Sequence, residues 1–157
     1  MNPSLELFNR QRKKRIDLAL FRAFAEPAIA QVAQRIRAVT LPAEISVVFV
    51  SDARIATIHR DFLSVDGPTD VITFRHGEII ISVETAERQA NKFSTSFSRE
   101  LRLYFVHGLL HLAGLDDLTS DGLDIMAEIQ EQIVDEVETQ TGARSQESGV
   151  RSKRRWQ

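Results

Sequence analysis

The segment His107-Gly-Leu-Leu-His111-Leu-Ala-Gly114-Leu-Asp116-Asp117 carries the clearest chemistry in the chain. Its two histidines stand four residues apart in an apolar run (Leu101, Leu103, Phe105, Val106, Leu109, Leu110, Leu112) that reads as helix. That spacing puts both imidazoles on one helical face, about 6 Å apart, within reach of a single metal ion. Gly114 lies just past the apolar run, where a helix can end in a left-handed cap. Beyond that turn the chain can double back and present a carboxylate to the same ion. Asp117 stands six residues after His111, which completes the pattern H-x-x-x-H-x-x-G-x-x-D. Two neutral nitrogens and one oxygen, with a coordination position left open, make a hydrolytic metal site. A histidine on an apolar helix is otherwise a hydrogen-bonded core residue. The glycine and the acid at these offsets favour the metal reading. By spacing, Asp117 is the third ligand, and Asp116 is a cap or a supporting partner.

The pattern overlaps the long zinc-protease signature, in which a glutamate follows the first histidine and serves as general base. Here Gly108 occupies that place. A peptidase built on this segment would lack the group that activates its water. A glycine there is also expected to leave room beside the ion for a bulky anionic substrate such as a phosphodiester. An iron oxygenase with a two-histidine, one-carboxylate triad is a further possibility, but no sequence feature suggests a cosubstrate pocket. His59 and His76 are not at ligand spacing from the pair and read as surface or loop residues. Asp66-Gly-Pro-Thr-Asp70, just before a strand, is either a turn or a set of polar groups over a cleft.

These residues need a frame to hold them. Leu5 to Phe8 reads as a short edge strand. Asp17 can cap a helix through Leu18, Phe21, Phe24, Ile29, Val32 and Ile36, which Pro27 would kink or divide. Glu44 to Val50 reads as a buried strand, and Ser51 or Asp52 starts a helix with Ile55, Ile58 and Phe62. Asp70 to Phe74 and Glu78 to Val83, joined by Arg75-His-Gly77, suggest an antiparallel hairpin. A polar helix about 84–92, the histidine helix opened by Thr95-Ser-Phe-Ser98, and a last amphipathic helix about 121–139 complete the order. The last helix carries Leu123, Met126, Ile129, Ile133 and Val137 on one stripe. About five helices and a few strands in mixed order predict a single α+β domain over 1–142.

With 157 residues the chain can bury one sizeable core. It has no cysteine, which excludes disulfides and thiolate zinc sites and fits a reducing compartment. The basic start, with Arg10-Gln-Arg-Lys-Lys-Arg15, does not look like a secretory signal, and a cytoplasmic location is expected. Residues 1–15 and residues 144–157 each carry five basic side chains and one acidic one, on a chain of net charge -2. Basic ends on an acidic body can attract a polyanion such as RNA, or simply solubilise the chain. The segment 143–157 is expected to be a disordered basic tail.

At this level of detail the chain resembles the YbeY family of bacterial endoribonucleases. The resemblance rests on Asn9-Arg-Gln-Arg12, Ile45-Ser-Val-Val-Phe-Val50, Asp66-Gly-Pro-Thr-Asp-Val-Ile-Thr-Phe74, Gly77-Glu-Ile-Ile-Ile-Ser82 and His107 to Asp117, in that order, and covers about residues 5 to 140. It implies a small mixed β-sheet with a zincin-like, metal-bearing helix. It also implies a zinc-dependent, single-strand-specific endoribonuclease that acts on rRNA precursors in ribosome biogenesis, with one Zn2+ on His107, His111 and Asp117. No residue stands out as a general base. Metalloprotease and non-catalytic ribosome assembly factor with a structural metal are the alternatives.

Two positions depart from the family pattern. The usual third ligand is histidine, where this chain has Asp117. Its charge makes the ion less Lewis-acidic than a three-histidine site would. An arginine common in the family aligns with Leu63, and Arg60 and Arg75 are the nearby candidates to replace it.

Overall fold

The computed structural model describes residues 2–37, 40–116 and 118–142. Asp117 and the expected tail 143–157 lie outside the described residues. The elements run β1 (Ser4–Asn9), α1 (Leu18–Arg35), β2 (Glu44–Val50), α2 (Asp52–Leu63), β3 (Val71–Phe74), β4 (Glu78–Ser82), α3 (Val83–Phe93), α4 (Phe97–Leu112) and α5 (Ser120–Thr141). The helix starts follow from their caps: Asp17, Ser51, Ser82, Ser96 and Thr119 each accept a backbone N–H of the first turn.

The sheet order is β1-β2-β4-β3. β1 and β4 flank β2 in parallel, and β3 pairs antiparallel with β4 at the edge. The fold is therefore α+β with a mixed sheet of four strands and five helices among the described residues. The expected hairpin is present, and Gly77 closes it with its N–H donating to Phe74 O (2.9 Å). Gly77 has φ +120°, and a Cβ there would meet Glu44 O at 2.2 Å, so the turn admits only glycine.

Strand alternation divides the apolar residues between two faces. Leu5, Ile45, Val47, Phe49, Ile79 and Ile81 face the main core, which they share with α1, α3, α4 and α5. Val50, Ile72 and Ile80 face the other way and meet Ile55 and Ile58 of α2 in a smaller cluster. Pro27 does not divide α1, which excludes one of the two outcomes expected from sequence. Phe21, Phe24 and Ala25 before it and Ala28, Ile29 and Val32 after it are all buried. Docking on both sides of the proline outweighs the roughly 3 kcal/mol that it costs a helix interior.

α4 is buried along nearly its whole length, from Arg99 to Leu110. Its antiparallel partner α5 is pinned to it by a buried charge cluster. Glu138 (1 % exposed) accepts from Arg99 and from Arg102 Nη1 (2.6 Å). Arg99 Nη2 also reaches Glu131 (2.7 Å) and Asp135 (2.9 Å). Burial disfavours the Arg99 cation, but these three carboxylates overcome that effect and raise its pKa. The pin sets the register of the two helices. His107 lies eight residues along α4 from Arg99, and Gln130 lies eight residues back along α5 from Glu138. Antiparallel helices of equal rise therefore bring His107 opposite Gln130.

Candidate metal centre

α4 ends as its sequence predicts. Gly114 takes φ +94°, its N–H donates to His111 O (3.0 Å), and Leu115 N–H donates to Leu110 O (3.0 Å). This pair of bonds is a Schellman cap, sealed by Leu110 and Leu115 in the main core. It turns the chain back at the level of His111.

His107 and His111 face the same space. Their Nε2 atoms are 3.0 Å apart, and their rings meet edge to face with centroids 4.6 Å apart. Two nitrogens each about 2.05 Å from one ion in tetrahedral geometry lie about 3.3 Å from each other. The observed separation thus fits a pair of ligands to one cation. His107 is almost fully buried (3 % exposed), and its Nδ1–H donates to Gln130 Oε1 (2.9 Å). That bond fixes the tautomer in which Nε2 carries the lone pair, the form that a metal requires. Gln130 is itself fully buried, and its Nε2 has no hydrogen-bond partner among the described residues.

Sequence reading missed Gln130. The signal was available: Met126, Gln130, Ile133 and Val137 form a helical stripe in which one polar residue interrupts the apolar ones. Among the described residues no group of three possible metal ligands forms. His107 and His111 supply two donors, and Asp117 lies outside the described set. Asp116 lines the same cleft, and its Oδ1 accepts from Leu118 N (3.3 Å), so it serves the turn.

The cleft around the pair has a volume of about 670 Å³. Thr73 and Arg75 of the β3 edge form one wall, and Leu63 at the end of α2 reaches its rim. Of the two candidate arginines, Arg75 lines the cleft, whereas Arg60 is not among its lining residues and pairs with Asp61 (3.2 Å). No ion pair involves Arg75 among the described residues.

The expectation at Gly108 is corrected. Gly108 is buried, and a Cβ there would come within 2.9 Å of Ile79 Cγ2 and 3.1 Å of Thr73 Oγ1. One residue along a helix is a turn of about 100°, so Gly108 faces the sheet while His107 faces the cleft. The glycine lets α4 lie close on β3 and β4 and makes no room beside an ion. A glutamate there would press on Ile79 and Thr73, so the place of the protease glutamate is taken up by contact with the sheet.

The remaining sequence candidates sit elsewhere. His59 Nδ1 bonds to Gly67 O (3.0 Å) and anchors the loop before β3. His76 stacks on Phe74 (5.8 Å between centroids), on the opposite side of β3. Asp70 Oδ1 accepts from Val71 N (2.8 Å), so the Asp66–Asp70 segment includes turn chemistry at its end.

Comparisons with known proteins give the family and the fold. The family model described as endoribonuclease YbeY matches residues 6–138. Proteins named endoribonuclease YbeY include one from Moorella thermoacetica, 38% identical over 125 residues (68% of this chain, 80% of the relative). Another, from an Exiguobacterium species, is 32% identical over 135 residues (73% of this chain, 85% of the relative). The solution structure of TM1509 from Thermotoga maritima matches with TM-score 0.63 and 26% identity, covering 93% of this chain and 99% of that one. From its first strand through most of α5, this chain belongs to the endoribonuclease YbeY family.

Proposed function

We propose that the protein is a zinc-dependent endoribonuclease that cleaves single-stranded RNA in rRNA processing, in the cytoplasm. His107, His111 and Asp117 would hold one Zn2+ per chain. The observation that carries this reading is the pair of Nε2 atoms 3.0 Å apart, one of them aimed by Gln130, at the wall of a cleft that also holds Arg75. Two imidazole nitrogens and a carboxylate suit zinc. The bound ion would supply Lewis acidity to a phosphodiester and to water.

The protein's own residues define how RNA meets that site. Arg75 offers a guanidinium to a phosphate at the cleft wall. Leu63 and Leu118, half or more exposed, present apolar surface at the rim where a base can rest. Buried Gln130 holds the His107 ring with its Nε2 lone pair toward the cleft, and the proton that His111 Nε2 shares with it at 3.0 Å would leave when a cation arrives. The relatives' name speaks of RNA cleavage, and the cation-binding face beside a basic side chain suits a polyanion.

The test is incubation of the metal-loaded protein with a labelled single-stranded RNA and with its duplex, alongside His107→Ala/His111→Ala. Cleavage of the single strand, lost in the double variant together with about one zinc per chain, is the expected result. Intact RNA at full metal occupancy would replace this reading with a structural metal in an assembly factor.

A further inference from the structure

The sheet face opposite the metal centre holds a second cleft, of about 820 Å³. α2 covers only part of this face, and three aromatic rings stand along the rest. Phe8 comes from β1, Phe74 from β3, and Phe62 from the last turn of α2. Phe62 is 69 % exposed and meets Phe74 edge to face with centroids 5.6 Å apart. His76 lies nearly parallel to Phe74, at 15°. β1 and β3 are the two edges of the sheet, so Phe8 and Phe74 stand about 16 Å apart, three strand spacings across and two residues along.

The charge at this cleft is cationic. Arg10 and Arg54 line it, Arg10 lying over the Phe8 ring at 5.4 Å. Neither forms an ion pair with a carboxylate among the described residues. Arg10 is held at the rim because its N–H donates to Phe49 O (2.9 Å) and extends β1. Arg12, Lys13, Lys14 and Arg15 follow directly, so the basic run noted in the sequence starts from this cleft. Glu78 is the one acidic residue lining it.

This second cleft meets the metal cleft across β3. Phe74 lines one and Arg75 the other; Phe62 lines one and Leu63 the other. A strand lying on the aromatic face can therefore cross the sheet edge and reach the histidines without leaving protein surface. One exposed and two half-buried rings interleaved with arginines that form no ion pair among the described residues suit single-stranded nucleic acid: rings for any base, guanidinia for the backbone.

We infer that the Phe8–Phe62–Phe74 cleft is a second binding surface for single-stranded RNA, and that it delivers the strand over the β3 edge to the metal centre. The choice of ligand rests on the proposed RNA-cleaving function. The occupant is an RNA strand rather than an apolar peptide, because the rings are flanked by Arg10 and Arg54, which carry no carboxylate partner among the described residues.

The experiment measures binding of a labelled 2′-O-methyl oligouridylate of about twelve nucleotides to the metal-loaded protein by fluorescence anisotropy, its integrity checked on gels. Phe62→Ala removes an exposed ring and should weaken binding roughly tenfold. Arg10→Ala/Arg54→Ala should weaken it and lower the slope of log affinity against log salt by about 1.4. Ultraviolet crosslinking should place bases on Phe8, Phe62 or Phe74. Unchanged affinity and slope in these variants, or crosslinks confined to the metal cleft, would overturn the inference. So would self-association of the chain that these substitutions abolish while oligonucleotide affinity is kept, since the face would then join two copies. Binding is read without turnover. Failure of the wild-type protein to cut RNA would count against the proposed function, while failure of these variants to lose affinity would count against the cleft.

Discussion

Replacing Gln130 by leucine separates the folding of this protein from the preparation of the proposed metal centre. The substitution removes the acceptor of the His107 Nδ1–H bond (2.9 Å) from a site where both residues are buried. An unmet buried N–H costs about 1–3 kcal/mol. The same change deletes the Gln130 Nε2 group, a buried donor without a partner among the described residues, and so relieves a penalty of similar size. The two effects oppose each other, and the metal-free protein should change in stability by less than about 1 kcal/mol. Metal affinity has no such offset. Without Gln130, the His107 ring is free to place its proton on Nε2, and the ligand face must be remade on binding. Loss of a partner of this kind weakens binding about 10–100-fold, or about 1.4–2.7 kcal/mol. Zinc competition against a chromophoric chelator measures the affinity, and urea unfolding of the metal-free protein measures the stability. Gln130→Glu keeps an acceptor at the same atom and should hold zinc at least as tightly as the wild type. Wild-type zinc affinity in Gln130→Leu would refute the role given to this residue. Equal loss in Gln130→Leu and Gln130→Glu would mean that the site needs the shape of glutamine and not its acceptor.

Three further outcomes follow from other parts of the molecule. Burial acts to raise the pKa of Asp52, but hydrogen bonds from Arg88, Ser82 and Thr85 outweigh it and hold the pKa below the usual aspartate value. A depressed folded-state pKa stabilises the protein above the unfolded value and ceases to do so as pH falls through the folded one. Asp52→Asn should therefore be less stable than wild type at neutral pH, with the gap closing below about pH 4 in parallel urea titrations; a gap independent of pH would show that the charge is not what matters. Gly108→Glu, which writes the protease glutamate into α4, forces a carboxylate against Ile79 and should destabilise by more than about 3 kcal/mol without producing peptidase activity. A variant as stable as wild type by thermal melting would contradict the packing described. Leu63→Arg restores the cation common in the family at an exposed rim position and should tighten RNA binding, with the salt slope steeper by about 0.7; an unchanged slope would place the new side chain off the RNA path.

Much of this protein is local physics written in order along the chain. The caps at Asp17, Ser51, Ser96 and Thr119, the glycine turns at Gly77 and Gly114, and the period-two strands each depend on residues within a few positions of one another. For the same reason the His107–His111 pair was legible, since a spacing of four on a helix fixes a shared face whatever the fold. What the sequence left open depends on residues that meet from far apart. Pro27 looked like a kink or a break because its local cost is plain, whereas the burial that overrides it is spread over α4, α5 and the sheet. Gly108 looked like open space beside an ion until α4 was laid on β3 and β4. Arg75 and Arg60 were equivalent candidates by spacing, and only the edge position of β3 puts Arg75 in the cleft. Gln130 is the sharpest case. Its place beside His107 comes from the register of two antiparallel helices, which the buried Arg99–Glu138 pair sets about 12 Å away. The sequence by itself determined that two imidazoles share one helical face; tertiary packing alone put the Gln130 acceptor on His107 Nδ1 and so turned the Nε2 lone pair of that ring to the cleft.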